Sequence, residues 1–222
     1  MLSIIFKVQA QQVSIPDPGL NAAIRDALQK PTEPLTSQDL SGLTYLDAHG
    51  RGIQSVEGLQ FAVNLAALEL GLNAVTNISV ASGLTNLTAL ALYNNELRSF
   101  ALPQGMTNLS DLELYNNQLT NVALGYDLPS LTTLQLGNNL LKEFAFLAGL
   151  TNLQNLYLND NQLTKLSFPS GLSNVRLLEL GANRVANFGF LLGLPKLNVL
   201  YIYDNNLTSL DLPDGLNTLQ YL

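Results

Sequence analysis

Apolar residues recur along this chain in a fixed rhythm. From Leu109 to Leu119 the residues read Leu-Ser-Asp-Leu-Glu-Leu-Tyr-Asn-Asn-Gln-Leu, apolar at the first, fourth, sixth and eleventh places and asparagine at the ninth. The arrangement begins at Leu43, Leu65, Leu87, Leu109, Leu131, Leu153, Val175, Leu197 and Leu219, each start 22 residues after the one before. Leu112 and Leu114 lie two apart, so on an extended strand both point to one side, while Asp111, Glu113 and Tyr115 point to the other. One such strand cannot bury its leucines alone. Stacking coil upon coil joins them into a continuous core.

A second pattern follows each asparagine. Apolar residues stand five and seven places after it, as Ile78/Val80, Phe100/Leu102, Val122/Leu124, Phe144/Phe146, Leu166/Phe168, Phe188/Phe190 and Leu210/Leu212. That period of two predicts an extended return segment in place of an α-helix. Ten places after the asparagine stands Gly83, Gly105, Gly149, Gly171, Gly193 or Gly215, with Asp127 as the exception. Glycine and aspartate tolerate left-handed backbone, so a tight turn is expected there.

The repeated L-x-x-L-x-L-x-x-N-x-L is the leucine-rich-repeat signature. It predicts an α/β solenoid: a right-handed coil with a parallel β-sheet on the concave face and a convex side mostly extended or in 3₁₀ turns. Residues 43–222 hold eight full repeats and the start of a ninth. In this motif the asparagine column, Asn73 to Asn205, satisfies backbone groups left unpaired where each coil turns inward. With no capping segment after Leu222, the chain reads as a fragment of a longer one.

The N-terminal part has other periods. Residues 1–15, from Leu2-Ser3-Ile4-Ile5-Phe6 through Val8-Gln9-Ala10, read as a signal-peptide remnant or a disordered arm. Residues 16–42 read as a helical cap. Asp17 and Pro18 start one helix, with an apolar stripe at Leu20, Ile24, Ala27 and Leu28, and Thr36-Ser37-Gln38-Asp39 starts a second. Ile15-Pro16-Asp17-Pro18-Gly19-Leu20-Asn21-Ala22-Ala23-Ile24, Leu35-Thr36-Ser37-Gln38-Asp39-Leu40 and Gly52-Ile53-Gln54-Ser55-Val56-Glu57-Gly58-Leu59 resemble the cap of the bacterial internalin-type surface proteins. The 22-residue repeat matches as well. The resemblance implies a secreted or wall-attached recognition domain that binds a protein through its concave face, and hence an extracellular or cell-surface location. The back-side segments, such as Phe188-Gly189-Phe190-Leu191, depart from that family's usual I-x-D-I-x-P-L, so no particular receptor carries over.

Composition narrows the function. A net charge of −7 and a pI of about 4.5 disfavour nucleic acid and anionic membranes. No apolar run reaches the length of a membrane span, so no membrane insertion is expected. Without cysteine there is no disulfide framework. The lone His49 does not make a metal site. Neither a cofactor nor catalysis is expected, and the chain is read as a monomer. Asp111 and Glu113 lie about 6.5–7 Å apart on a strand, a separation seen in glycoside hydrolases and also open to calcium, but an open sheet does not exclude water. The outward columns instead carry tyrosine among carboxylates: Tyr93 and Tyr115 on adjacent coils beside Asp111 and Glu113, then Tyr157, Glu179, Tyr201 and Tyr203. Tyrosine gives large contact area with a polar tip. These eight residues are the expected partner-binding set, for a protein ligand with a basic patch. A structural spacer or an accessory, carbohydrate-binding domain is the alternative.

Overall fold

The computed structural model describes residues 11–78, 83–125, 128–143, 145–164, 168–169, 171–187, 189–209, 212–214 and 216–222. Two helices open the chain, α1 (Pro18–Leu28) and α2 (Ser37–Ser41). Ten three-residue strands follow: β1 (Tyr45–Asp47), β2 (Ala67–Glu69), β3 (Ala89–Ala91), β4 (Ser99–Ala101), β5 (Asp111–Glu113), β6 (Asn121–Ala123), β7 (Thr133–Gln135), β8 (Asn155–Tyr157), β9 (Leu177–Glu179) and β10 (Val199–Tyr201). Eight of them form one parallel sheet in the order β1-β2-β3-β5-β7-β8-β9-β10. Every pair is in the register set by the repeat, Leu90 beside Leu112 and Leu112 beside Leu134, for example. A parallel bridge from Val199 to Tyr221 begins the next coil. The fold is therefore the expected leucine-rich-repeat solenoid.

The return segments run extended or in 3₁₀ turns. β4 and β6 pair with each other there, and 3₁₀ segments occupy Leu59–Phe61, Ala145–Leu147 and Gly189–Gly193. Ile78, Phe100, Leu102, Val122, Leu124 and Phe190 are buried, as a period of two requires, while Phe146, Phe168 and Leu212 are partly so. Val80, Phe144, Leu166, Phe188 and Leu210 lie outside the described residues, as do Asp127 and Gly215 of the glycine column. That column is only partly left-handed. Gly105, Gly149 and Gly171 have φ of 87°, 88° and 114°, whereas Gly83 and Gly193 do not have positive φ. Gly193 closes a 3₁₀ turn, whose path is right-handed.

The left-handed position that does recur is the residue before each asparagine. Leu72, Asn94, Asn116, Asn138, Asp160, Ala182 and Asp204 have φ between 50° and 57°. Asparagine and aspartate dominate because their short polar side chains tolerate this region. The twist turns the following asparagine inward. Asn95 Nδ2 donates to the carbonyls of Leu70, Leu92 and Tyr93 at 2.9, 3.1 and 3.2 Å, and its Oδ1 accepts from Val75 N–H at 2.9 Å. Asn139, Asn161 and Asn183 repeat the set. Each amide thus closes its own turn and pins the preceding coil, and buried backbone groups that no strand could pair are satisfied.

The cap begins earlier than the sequence suggested. Ala10 and the residues before it lie outside the described residues, so the signal-remnant reading goes no further there. Residues 11–15 are not an arm. Gln12 bridges antiparallel to Thr36, Val13 N–H donates to Leu35 O at 2.8 Å, and Val13 and Ile15 are buried. Their alternation in Gln-Val-Ser-Ile buries two β-branched side chains against the cap, which is why the segment is ordered. On α1 the buried residues are Leu20, Ala23 and Ile24. Ala27 is exposed and Leu28 half-buried, so the stripe leans one position from that expected. Asp17 caps α1 by accepting from Leu20 N–H on Oδ1. Its Oδ2 accepts from Gln54 and Ser55 N–H of the first coil at 2.8 and 3.1 Å. Thr36 and Asp39 form a reciprocal capping box on α2.

Candidate functional site

The outer face of the sheet carries the eight residues singled out in the sequence. Along each strand the middle leucine points inward and is fully buried, so its neighbours at the third and fifth places of the motif face out. The seventh place follows the strand on the same side. Tyr93 and Tyr115 are stacked, with ring centroids 4.9 Å apart and planes within 2°. Asp111 and Glu113 stand beside them on β5. Tyr157, Glu179 and Tyr201 are consecutive register partners across β8, β9 and β10. Tyr201 and Tyr203 are 43% and 50% exposed, large apolar area for side chains outside the core.

The seventh column has an internal logic that spacing did not disclose. A Cβ built on Gly71 would collide with the Tyr93 ring, and one on Gly181 with the Tyr203 ring. The glycines are therefore landing places: each ring leans over the coil before its own, and only a hydrogen side chain leaves room. Tyr115 leans in turn on Tyr93. At Gly137 a Cβ would collide with the Asn159 side-chain amide. Asn159 is smaller than a tyrosine, so a notch of about 500 Å³ remains. Tyr115, Asn116, Gln135, Asn138, Tyr157 and Asp160 line it, with Glu179 at one side. It lies between the two tyrosine groups. Of its lining residues, Asn116, Gln135, Asn138, Asn159 and Asp160 were not in the expected set. The asparagine-or-aspartate column just before the motif asparagine was the available signal.

Charge on this face is one-sided. None of the Lys and Arg residues occupies the third, fifth or seventh place of any repeat. Among the described residues the ion pairs are Lys30–Asp39, Arg51–Asp26 and His49–Asp47, and only the last touches the face. Burial raises the pKa of Glu113, and the charges of Glu69 and Asp111 raise it further. Glu69 is likewise raised, first by burial and then by Asp47. The tyrosines Tyr93 and Tyr115 are pushed up by burial and then by nearby carboxylates, so both are neutral donors at physiological pH. Chemically, the face offers aromatic area, neutral hydroxyls and, beyond Asp47, carboxylates without a counter-ion among the described residues. Among the described residues there is no cluster of three or more His, Asp or Glu able to hold a metal, and no helix long and apolar enough to cross a membrane.

Comparisons with known proteins agree with the geometry. A leucine-rich-repeat family model of two copies matches residues 107–149 and again 151–193. Internalin H of Listeria monocytogenes is 44% identical over 69 residues, a stretch that spans 30% of this chain and 13% of that protein. The crystal structure of an internalin C2 from Listeria monocytogenes superposes with a TM-score of 0.82 at 29% identity, covering 97% of both chains. YopM from Yersinia enterocolitica follows at a TM-score of 0.69 and 26% identity, over 90% of this chain and 39% of that one. With its 22-residue coils, its two-helix cap and its near-complete overlap with an internalin, the chain is a leucine-rich-repeat solenoid similar to the bacterial internalins.

Proposed function

We propose that the chain is a non-catalytic recognition module of a secreted or surface-displayed bacterial protein, binding a protein partner through the concave face of its sheet. One observation carries this reading: tyrosine rings stand outside the core on a face whose carboxylates, Asp47 beside His49 excepted, lack counter-ions among the described residues. Packing alone does not require them, since Ala89 and Ala91 occupy outward places of one strand without disturbing its register. Exposed aromatics in a polar rim are what protein interfaces use to anchor a partner. Unpaired negative charge selects a partner with a basic patch and speeds its approach at low salt. The open, water-accessible sheet and the absence of a nucleophile–base pair on it support a binding role.

The experiment starts from a panel of purified secreted and cell-surface domains screened for binding by biolayer interferometry. With a binder in hand, Tyr115→Ala and Tyr201→Ala are compared with the convex-side control Arg98→Ala. Each tyrosine variant is expected to lose about 2 kcal/mol, roughly thirtyfold in Kd, while the control is unchanged. Unchanged affinity in both tyrosine variants, with circular dichroism intact, removes the concave face and favours a spacer or accessory domain.

A further inference from the structure

The notch over Gly137 has a chemistry of its own. The residues before the motif asparagines form a ladder of side-chain amides. Asn138 Nδ2 donates to Asn116 Oδ1 at 2.7 Å, and Asn116 Nδ2 donates to Asn94 Oδ1 at 2.9 Å. All three amides run the same way, so each coil should supply a donor to the one before. The next coil breaks the rule: it places Asp160 there, and a carboxylate has no proton to give. Asn138 Oδ1 therefore ends the ladder with no donor from the following coil. Among the described residues Asp160 receives only the neighbouring Asn159 amide, at 2.8 Å on Oδ2.

The other amides around the notch are spent in the same direction. Gln135 Nε2 points to Glu113 Oε1 at 3.3 Å. Set against the Tyr115 and Tyr157 hydroxyls, the notch has a surplus of acceptors: Asn138 Oδ1, Asn159 Oδ1, the second oxygen of Asp160 and, beyond, the Glu179 carboxylate, one oxygen of which accepts from the Tyr203 hydroxyl at 3.4 Å. One wall is Tyr115. One of its faces is stacked on Tyr93, and the other is uncovered because Gly137 has no side chain to lay on it. A sugar needs donors in number as well as acceptors from its site, and the two tyrosine hydroxyls are outnumbered here by open acceptors. A planar, donor-only cation meets both features, because a guanidinium stacks on an aromatic face and has five N–H groups with no acceptor.

We propose that this notch is a subsite for a single arginine side chain of the partner, its guanidinium stacked on the free face of Tyr115 and donating to Asn138 Oδ1 and Asp160. The inference rests on concave-face recognition and specifies its central contact. Glu179, one coil further on, adds favourable field without direct contact. Lysine fits less well, since an ammonium neither stacks flat nor spans the two acceptors.

The probe is Nα-acetyl-arginine methylamide, titrated into the ¹⁵N-labelled chain, with the citrulline and lysine analogues and the neutral sugar cellotetraose in parallel. Saturable shifts are expected at the amides of Gly137, Asn138 and Asp160 with the arginine probe. The citrulline analogue, which keeps the shape and loses the charge, should bind about tenfold more weakly. Asp160→Asn, which restores the ladder donor and suits the left-handed backbone, should weaken the arginine probe by a similar factor, about tenfold. Gly137→Tyr should abolish the shifts by extending the ring stack over the notch. Three results would each overturn the subsite: equal binding of citrulline and arginine, shifts confined to other coils, or binding of cellotetraose without the arginine probe. If Tyr115→Ala weakens a protein partner while the arginine probe moves no notch amide, the subsite falls and concave recognition stands. If the arginine probe binds and a partner ignores both Tyr115→Ala and Tyr201→Ala, the recognition reading falls and the notch chemistry stands.

Discussion

The cap and the concave face both carry carboxylates, and the two sets are held in opposite ways. Asp17 is buried, which by itself would raise its pKa. The N–H groups of Gln54, Leu20, Ser55 and Gly19 outweigh that and leave it lowered. The Lys30 ammonium and the Thr36 side chain and N–H hold Asp39 down as well. Glu69 and Glu113 are raised, by burial first and then by other carboxylates. The first pair is held on both oxygens by donors of the fold, and the second has spare acceptor capacity. The neighbours Asn138 and Asn139 repeat the contrast within one dipeptide. Asn139 is saturated by backbone, whereas the Asn138 oxygen is left open. Filled polar groups mark what builds this molecule, and unfilled ones mark acceptors that the fold itself leaves open.

Breaking a filled group should cost most. Asn139→Ala leaves the Leu119 N–H without a partner in a buried place and takes one of the two donors from each of the carbonyls of Leu114, Leu136 and Gly137. It is expected to destabilise by about 3–5 kcal/mol, with Asn138→Ala beside it within about 0.5 kcal/mol of wild type. Urea unfolding of the two proteins checks this, and equal losses would erase the distinction. Next in size is Asp17→Ala, which removes a helix cap and orphans two N–H groups of the first coil. The expected loss is about 2–4 kcal/mol, against an effect of Glu113→Gln no worse than about 0.5 kcal/mol. A comparable loss in Glu113→Gln would show that the concave carboxylate is structural after all.

Acidity should separate the two sets without mutation. For Asp17 and Asp39 the folded pKa lies below 3.8, so their contribution is complete above that value and is lost as pH falls through the folded pKa. For Glu69 and Glu113 the folded pKa lies above 4.5, so the folded state binds more protons just above pH 4.5 and stability declines as pH rises through that window. Urea midpoints from pH 7 to 3 should therefore rise slightly, then fall. Glu69→Gln with Glu113→Gln should flatten the upper limb, and Asp17→Asn with Asp39→Asn the lower. The smallest effect is a gain. Leu72 sits in a left-handed conformation at φ 57° with its side chain exposed. Leu72→Asn should add about 0.5–1 kcal/mol, read as a small upward shift in melting temperature; a loss would mean that Leu72 makes a contact the backbone argument ignores.

Much of this was legible in the residues themselves. A period of 22 with two inward leucines per strand admits one stacking register, because a slip of one residue would expose every leucine. The period of two after each asparagine likewise excluded helices from the convex side, since alternate burial is a strand property. Asp17-Pro18 and Thr36-x-x-Asp39 announced both helix starts, as caps are local chemistry. What the residues could not reveal depends on neighbours distant in the chain. Val13 and Ile15 looked like an arm because their partners, Leu35 and Thr36, are met only through the folded cap. Ala27 was expected in the inward stripe, and the packing against the first coil buries Ala23 instead. Gly71 and Gly181 of the seventh column are seats for rings from the next coil, and Gly137 for an amide, a relation that exists only once the coils are stacked. The ladder from Asn94 to Asn138 and its break at Asp160 arise from the same stacking. Local periodicity determines which side each residue faces, and the contact between coils decides which of those residues are satisfied and which remain open.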